Sequence, residues 1–242
     1  MQQKKKNKFV QIAIDGPSGA GKSTLSKALA AGFGYIYMDT GALYRAVALY
    51  FIRKAVDIDD QERIITGLDS IEIGLRYENG EQLVFLNGED VSRMIRTPVI
   101  SSAASRVSAI PEVRQFLISA QRDMGAANDI IMDGRDIGTV ILPGADVKIF
   151  LTATAEDRAE RRWLELKSRG TDDRYEDVLA AVIQRDRDDA SRDASPMAAA
   201  ADAVVVDTTG NTFEESLSLL MGIIEEKLRG KPDGAQAQEK NI

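Results

Sequence analysis

Short apolar runs alternate along the chain with longer stretches whose apolar positions recur every three or four residues. Phe9–Ile14 (FVQIAI) is β-prone, interrupted only by Gln11 and stopped by Asp15, which suits a buried strand. A glycine-rich turn, Gly16–Gly21, follows, and Ser23–Ala31 (STLSKALAA) has helical composition up to Gly32 and Gly34. Tyr35–Met38 predicts a second strand. Asp39-Thr40-Gly41 then opens a helix to about Lys54, with Thr40 as its expected N-cap. Strand, helix, strand, helix in this rhythm predicts a parallel α/β sheet.

The rhythm breaks in the middle. Ser70–Tyr77 alternates, turns at Glu78-Asn79-Gly80 and resumes over Glu81–Leu86, which predicts a hairpin. Thr97–Ala109, and a segment opened by Pro111 and running to about Met124, have helical patterns. The region from 57 to 114 therefore predicts a small α+β subdomain inserted between α/β units. The rhythm then returns with a buried strand over Asp129–Met132 and another over Val147–Leu151. Charged helices follow over Ala155–Ser168 and Tyr175–Ala190, joined at Gly170. A last strand over Ala203–Val206 and an amphipathic helix over Thr212–Leu228 complete it. The expectation is a three-layer core with a five-stranded parallel sheet, formed by 9–56 and 115–229, with 156–192 as a short helical lid.

Length agrees with one core carrying an insertion. The chain has 242 residues, against roughly 100–200 for an ordinary domain. Lys and Arg number 31 against 38 Asp and Glu, a net charge of -7, which argues against a general nucleic-acid binder. Four lysines crowd the first eight residues; they read, like the polar stretch 231–242, as a solvated tail. The apolar run behind them is too short and polar for a signal peptide, and no stretch approaches the roughly 20 residues of a membrane helix. A cytoplasmic protein is the expectation, with nothing demanding more than a monomer. Cysteine and histidine are both absent. That excludes thiol catalysis, an imidazole base and the common zinc sites, and leaves a hard cation held by oxygens and phosphates.

The strongest chemical signal is Gly16-Pro17-Ser18-Gly19-Ala20-Gly21-Lys22-Ser23-Thr24, which fits G-x-x-x-x-G-K-S/T between a strand and a helix. Glycines let backbone N–H groups approach phosphates, and the helix N-terminus adds a favourable dipole. Lys22 reaches the β- and γ-phosphates of ATP, and the Ser23 hydroxyl ligates Mg²⁺. Asp133 ends a buried strand and so faces the ligand crevice. It is the natural acidic partner of that Mg²⁺, through water, or else a turn Asp before Gly134.

Such a loop does not by itself separate a kinase from a switch. The discriminating feature is a surplus of arginines on the same face. Arg45 lies in the first turns of its helix, and Arg135 and Asp136 follow Asp133 directly. Arg185, Asp189 and Arg192 are spaced i, i+4, i+7 on one face, where two guanidiniums flanking a carboxylate could hold a phosphate and a sugar hydroxyl. Arg158, Arg161 and Arg162 form another cluster. Acidic residues abound between Glu156 and Asp193, so a solvated, salt-bridged face is the competing reading for both helices.

Taken together, IDGPSGAGKST (Ile14–Thr24), MDTGALYR (Met38–Arg45), LNGEDVS (Leu86–Ser92), IRTP (Ile95–Pro98), Ala103–Arg114, DGRDIGTV (Asp133–Val140), KIFL (Lys148–Leu151) and Glu160–Gly170 resemble the bacterial cytidylate kinases, nucleoside monophosphate kinases of the P-loop class. The resemblance spans Phe9 to about Arg229. It implies phosphorylation of CMP and dCMP by ATP with Mg²⁺, and makes the inserted subdomain the monophosphate-binding one. It gives Gly16, Ser18, Gly19, Ala20, Gly21, Lys22, Ser23 and Thr24 to ATP. Arg45, Arg135 and Arg192 would grip the CMP phosphate, with Thr40 nearby. Ser105, Arg114 and Asp136 would read the cytosine; otherwise Asp136 only braces Arg135. Arg185 and Asp189 would hold the ribose hydroxyls, and Arg158 and Arg162 would reach the transferring phosphates from the lid. The rivals are a P-loop kinase for another small metabolite and a nucleotide-binding regulatory switch.

Overall fold

A computed structural model describes residues 9–230 apart from 79, 169, 193 and 194. The lysine-rich start and the stretch 231–242 lie outside the described residues. Strand β1 (Gln11–Asp15) leads through the glycine-rich turn into α1 (Lys22–Phe33), whose ends are set by Gly21 and Gly34, both left-handed at φ 83° and 71°. Strand β2 (Ile36–Asp39) feeds α2 (Gly41–Arg53). After the insertion come α5 (Pro111–Ala127), β6 (Ile130–Gly134), β7 (Val147–Thr152), the antiparallel pair α6 (Ala155–Ser168) and α7 (Tyr175–Ala190), β8 (Val204–Asp207) and α8 (Phe213–Arg229). Helix α8 starts at a capping box in which Thr212 and Glu215 satisfy each other's backbone N–H groups.

The five core strands form one parallel sheet in the order β2-β6-β1-β7-β8. The chain leaves β1 in one direction to build β2 and β6 and in the other to build β7 and β8. The switch point therefore lies at the carboxyl end of β1, where such sheets bind ligands. Side chains alternate across the sheet. Ile12, Ile14, Ile131, Ile149 and Leu151 face α1 and α8 in one apolar cluster. Ala13, Met38, Ile130 and Met132 face α2 and α5 in the other. Burial on both faces explains why these strands read as near-continuous apolar runs.

The insertion holds a short helix α3 (Gln61–Gly67), the antiparallel hairpin β3 (Ile73–Glu78) and β4 (Glu81–Leu86), a two-residue strand β5 (Glu89–Asp90) and α4 (Pro98–Val107). The hairpin and α4 follow the apolar pattern; α3 and β5 do not stand out in it, being short and largely exposed. Gln82 of β4 locks this sheet to the core. Its Oε1 accepts from the Asp39 amide at 2.7 Å and its Nε2 donates to the Asp39 carbonyl at 3.3 Å.

Ile131 sits fully buried between Ile12 of β1 and Tyr37 of β2. Ile131→Ala should leave a cavity that neighbouring strands cannot close. The unfolding free energy should fall by about 2–5 kcal/mol, read by urea denaturation of the unliganded protein.

Candidate active site

The turn after β1 is built for close backbone approach. Gly16, Gly19 and Gly21 have φ of 144°, 80° and 83°, and a Cβ on Gly16 would stand 1.9 Å from the Leu151 carbonyl oxygen. Lys22 is buried and donates to the Pro17 carbonyl at 2.7 Å across this loop. Burial and the nearby Arg135 push its ammonium well below the usual lysine range, against the pull of Asp133 and Asp15. Ala20 is fully buried, while Ser18, Gly19, Ser23 and Thr24 line the opening.

Asp133 stands next to this cradle because β6 pairs with β1. Its Oδ2 accepts from the Ser23 hydroxyl at 2.8 Å and its Oδ1 from the Tyr37 hydroxyl at 2.8 Å. Burial, and then Asp39, raise its carboxyl above the ordinary range. Hydroxyl and carboxylate together are hard oxygen donors suited to Mg²⁺. Among the described residues no three acidic side chains gather closely enough to hold a metal alone.

Thr40 does not cap α2. Its hydroxyl donates to the Asp133 carbonyl at 2.7 Å, and Asp39 Oδ1 instead accepts the Ala42 amide at 3.1 Å. The same Asp39 binds Arg45 through Oδ2 at 2.6 Å. Thr40 and Arg45 therefore stand on either side of the carboxyl end of β2.

The other predicted acceptor residues join into one buried chain of charges. Arg114 pairs with Asp136, donates to the Ser108 carbonyl at 3.1 Å and lies 5.6 Å from the Tyr44 ring. Asp136 therefore braces Arg114, not Arg135. Arg135 donates from Nε to Asp189 Oδ2 at 2.8 Å, and Arg192 pairs with Asp189 Oδ1 and reaches Ser105 Oγ at 3.4 Å. Burial pushes the Asp189 carboxyl up, but Arg135 and Arg192 outweigh it and hold it below the usual range. Arg185 is the odd member, with Nε buried and without a hydrogen-bond partner. Burial, and then Arg135, bring its guanidinium down to about 10. Four guanidiniums against two carboxylates give this group a surplus of positive charge suited to an anion.

The lid arginines diverge from expectation. Arg158 is buried and points into the base of the helix pair. It donates to the Ala153 carbonyl at 2.9 Å and the Ser18 carbonyl at 3.0 Å, and grips Asp186 of α7 at 3.0 and 2.5 Å. It clamps the cradle to α7, because its position on the first turn of α6 faces inward. Arg162, one turn on, faces out and pairs with Glu165 at 2.7 Å. Arg161 instead lies over the cradle, 3.8 Å from where a Cβ on Gly21 would be, and donates to the Thr208 carbonyl at 3.0 Å. Tyr37, Asp39, Gln82 and Asp186 escape sequence reasoning because nothing local distinguishes them from ordinary strand and helix polar residues. A cleft of about 550 Å³ opens beside Ser23, Tyr37 and Asp39, between α1 and β4. It borders the cradle but does not contain the arginine chain.

The cytidylate kinase family pattern matches residues 12–226. A cytidylate kinase from Caldicellulosiruptor bescii is 49% identical over 214 residues, covering 88% of this chain and 95% of that one. One from Caldanaerobacter subterraneus subsp. tengcongensis is 47% identical over 225 residues, covering 93% and 99%. An uncharacterized protein from Eubacterium ventriosum has a solved structure with the same fold, at a TM-score of 0.52 and 11% identity, covering 90% and 99%. This chain belongs to the cytidylate kinase family.

Arg158→Met should leave Asp186 without its partner and loosen the Ser18 carbonyl. Breaking a pair whose arginine is 5% exposed should lower stability by roughly 3 kcal/mol. Chemical denaturation without nucleotide reads this directly, since no phosphate is present for Arg158 to contact.

Proposed function

We propose that the chain transfers the γ-phosphoryl group of ATP to the phosphate of CMP or dCMP, giving ADP and CDP or dCDP. The observation that carries this reading is the chain of buried arginines and carboxylates lying beside the phosphate cradle at the carboxyl ends of the sheet. One set of these residues suits a second phosphate and the other suits a base. Residues 57–114 serve as the acceptor-binding subdomain and 156–192 as the lid. The reaction is cytoplasmic.

An oxygen of the CMP phosphate attacks the γ-phosphorus in line. The new P–O bond forms as the bond to the β-phosphate oxygen breaks, and that oxygen leaves with the electron pair. The attacking oxygen is already an anion near neutral pH, so the chemistry calls for no general base and the missing histidine is no obstacle. Positioning and charge neutralisation do the rest. Lys22 gives up the Pro17 carbonyl for the donor phosphates. Arg45, Arg135 and Arg192 turn from Asp39 and Asp189 to the acceptor phosphate, with Thr40 beside it. Asp189 and Arg185 are then free for the ribose hydroxyls. Mg²⁺ arriving with ATP would be held by Ser23, with Asp133 through water, and supplies positive charge to the polyphosphate. Arg162 can swing from Glu165 to the transferring group as the lid closes and excludes water.

Cytosine offers an amine donor, a ring-nitrogen acceptor and a carbonyl acceptor. Asp136 accepts from the amine, while Arg114 and Ser105 donate to the other two. Uracil would set a carbonyl against Asp136 with no proton between them.

A product assay with ATP and CMP should give CDP, and a panel of other monophosphates and shikimate should not match it. Hydrolysis of ATP without transfer would favour the regulatory switch instead. Lys22→Ala should stay folded and lose about a hundredfold in kcat. CMP should exceed UMP in kcat/KM by about tenfold or more. Asp136→Asn should lower that ratio, because its amide can donate to the uracil carbonyl. Equal losses with both substrates would instead make Asp136 merely the brace of Arg114.

A further inference from the structure

Asp15 is a buried carboxylate whose only part so far is its charge near Lys22. It ends β1, which is paired on both sides, so its backbone is pinned between Gly134 of β6 and Phe150 of β7. Its side chain is 4% exposed and reaches toward the turn that follows β6. There Oδ1 accepts from the Ile137 amide at 2.7 Å and Oδ2 from the Gly138 amide at 2.7 Å. The fit is close. A Cβ on Gly138 would stand 3.3 Å from Asp15 Oδ2 and 3.2 Å from Lys148 Cδ.

Packing alone would not select a carboxylate here, since burying a charge costs more than burying an amide or an apolar group of the same size. What the carboxylate does is hold two successive amides, giving each its own acceptor oxygen, which an amide side chain of the same shape cannot do. Those amides belong to the two residues directly after Arg135 and Asp136. On its other side Asp15 is followed by Gly16, the first residue of the phosphate cradle. A single side chain thus fixes the acceptor turn relative to the donor cradle.

We infer that Asp15 is a positioning residue for acceptor recognition. By holding the Ile137 and Gly138 amides it sets the directions in which Arg135 and Asp136 leave the sheet, and with them the reading of the base. The inference rests on Asp136 reading the base. With Asn at position 15, one acceptor oxygen remains and one amide faces an NH₂ group instead.

The test compares Asp15→Asn, Asp136→Asn and the double variant with the parent, measuring KM for ATP and kcat/KM for CMP and UMP. Asp15→Asn should raise KM for CMP roughly tenfold, the scale of one lost buried hydrogen bond. KM for ATP should stay within about twofold and the CMP/UMP ratio should fall. In the double variant the ratio should match that of Asp136→Asn alone, because both changes act through the same contact. If Asp15→Asn does not fold, Gly138→Ala presses on the same carboxylate and should lower the ratio in the same direction. Parallel losses with CMP and UMP, or a rise in KM for ATP equal to that for CMP, would overturn the inference and leave Asp15 a structural group. A ratio shifted by Asp136→Asn but untouched by Asp15→Asn overturns only this inference. A ratio unmoved by either variant overturns the base assignment along with it.

Discussion

The site depends on the register of three parallel strands. Pairing of β1 with β6 sets Asp15 beside Gly134, and pairing of β6 with β2 sets Asp39 beside Asp133. Parallel strands end together, so the phosphate cradle, the Asp133 carboxylate and the turn carrying Arg135 and Asp136 emerge at one level. A shift of one residue in either pairing would turn these side chains into the opposite apolar cluster. The apolar alternation that divides Ile131 from Ile130 and Met132 therefore secures the chemistry as well as the core.

That geometry concentrates buried charge. Asp15, Asp133 and Lys22 are each 6% exposed or less, and burial shifts each toward its neutral form, which opposite charges and N–H donors at the strand ends offset only in part. Such a cluster is tolerable only if its polar groups are occupied. Internal partners occupy them here. Lys22 holds a cradle carbonyl, Arg45 holds Asp39, and Arg135 and Arg192 share Asp189. Each is a polar contact of the kind a phosphate also makes, so the proposed substrates would exchange one satisfied arrangement for another. Among the described residues, the Nε atoms of Arg45 and Arg185 are buried without a hydrogen-bond partner, so a ligand that reached them would gain most there.

The helix pair α6 and α7 is tied to the cradle more firmly than a loose flap would be. Arg158 binds Ser18 and Asp186 at once, and Trp163 Nε1 donates to the Asp173 carbonyl at 2.9 Å, tying the middle of α6 to the connection that leads into α7. Since α7 also carries Arg185 and Asp189, the clamp at Arg158 sets these two residues relative to the glycine-rich loop. The outer turns beyond Arg158 carry more exposed pairs, such as Arg162 with Glu165.

The sequence alone determined the layer architecture, the inserted hairpin, the cradle from Gly16 to Thr24 and the set of arginines. These follow from local rules: strand and helix periods, the glycines a phosphate turn requires, and charge types that no apolar core would accept. It misjudged the directions of side chains. Thr40 stands where a cap belongs but bonds across to β6, and Asp39 caps in its place. Arg158 and Arg162 are one turn apart, yet one is a buried clamp and the other a surface residue. Asp136 precedes no visible partner in the chain and meets Arg114, which lies on α5. The reach of Asp15 to the turn after β6 had no signal at all. Partners separated by 22 to 140 positions are decided by which strands are neighbours and which helix face is covered. That is a property of the packed sheet, which no local pattern contains.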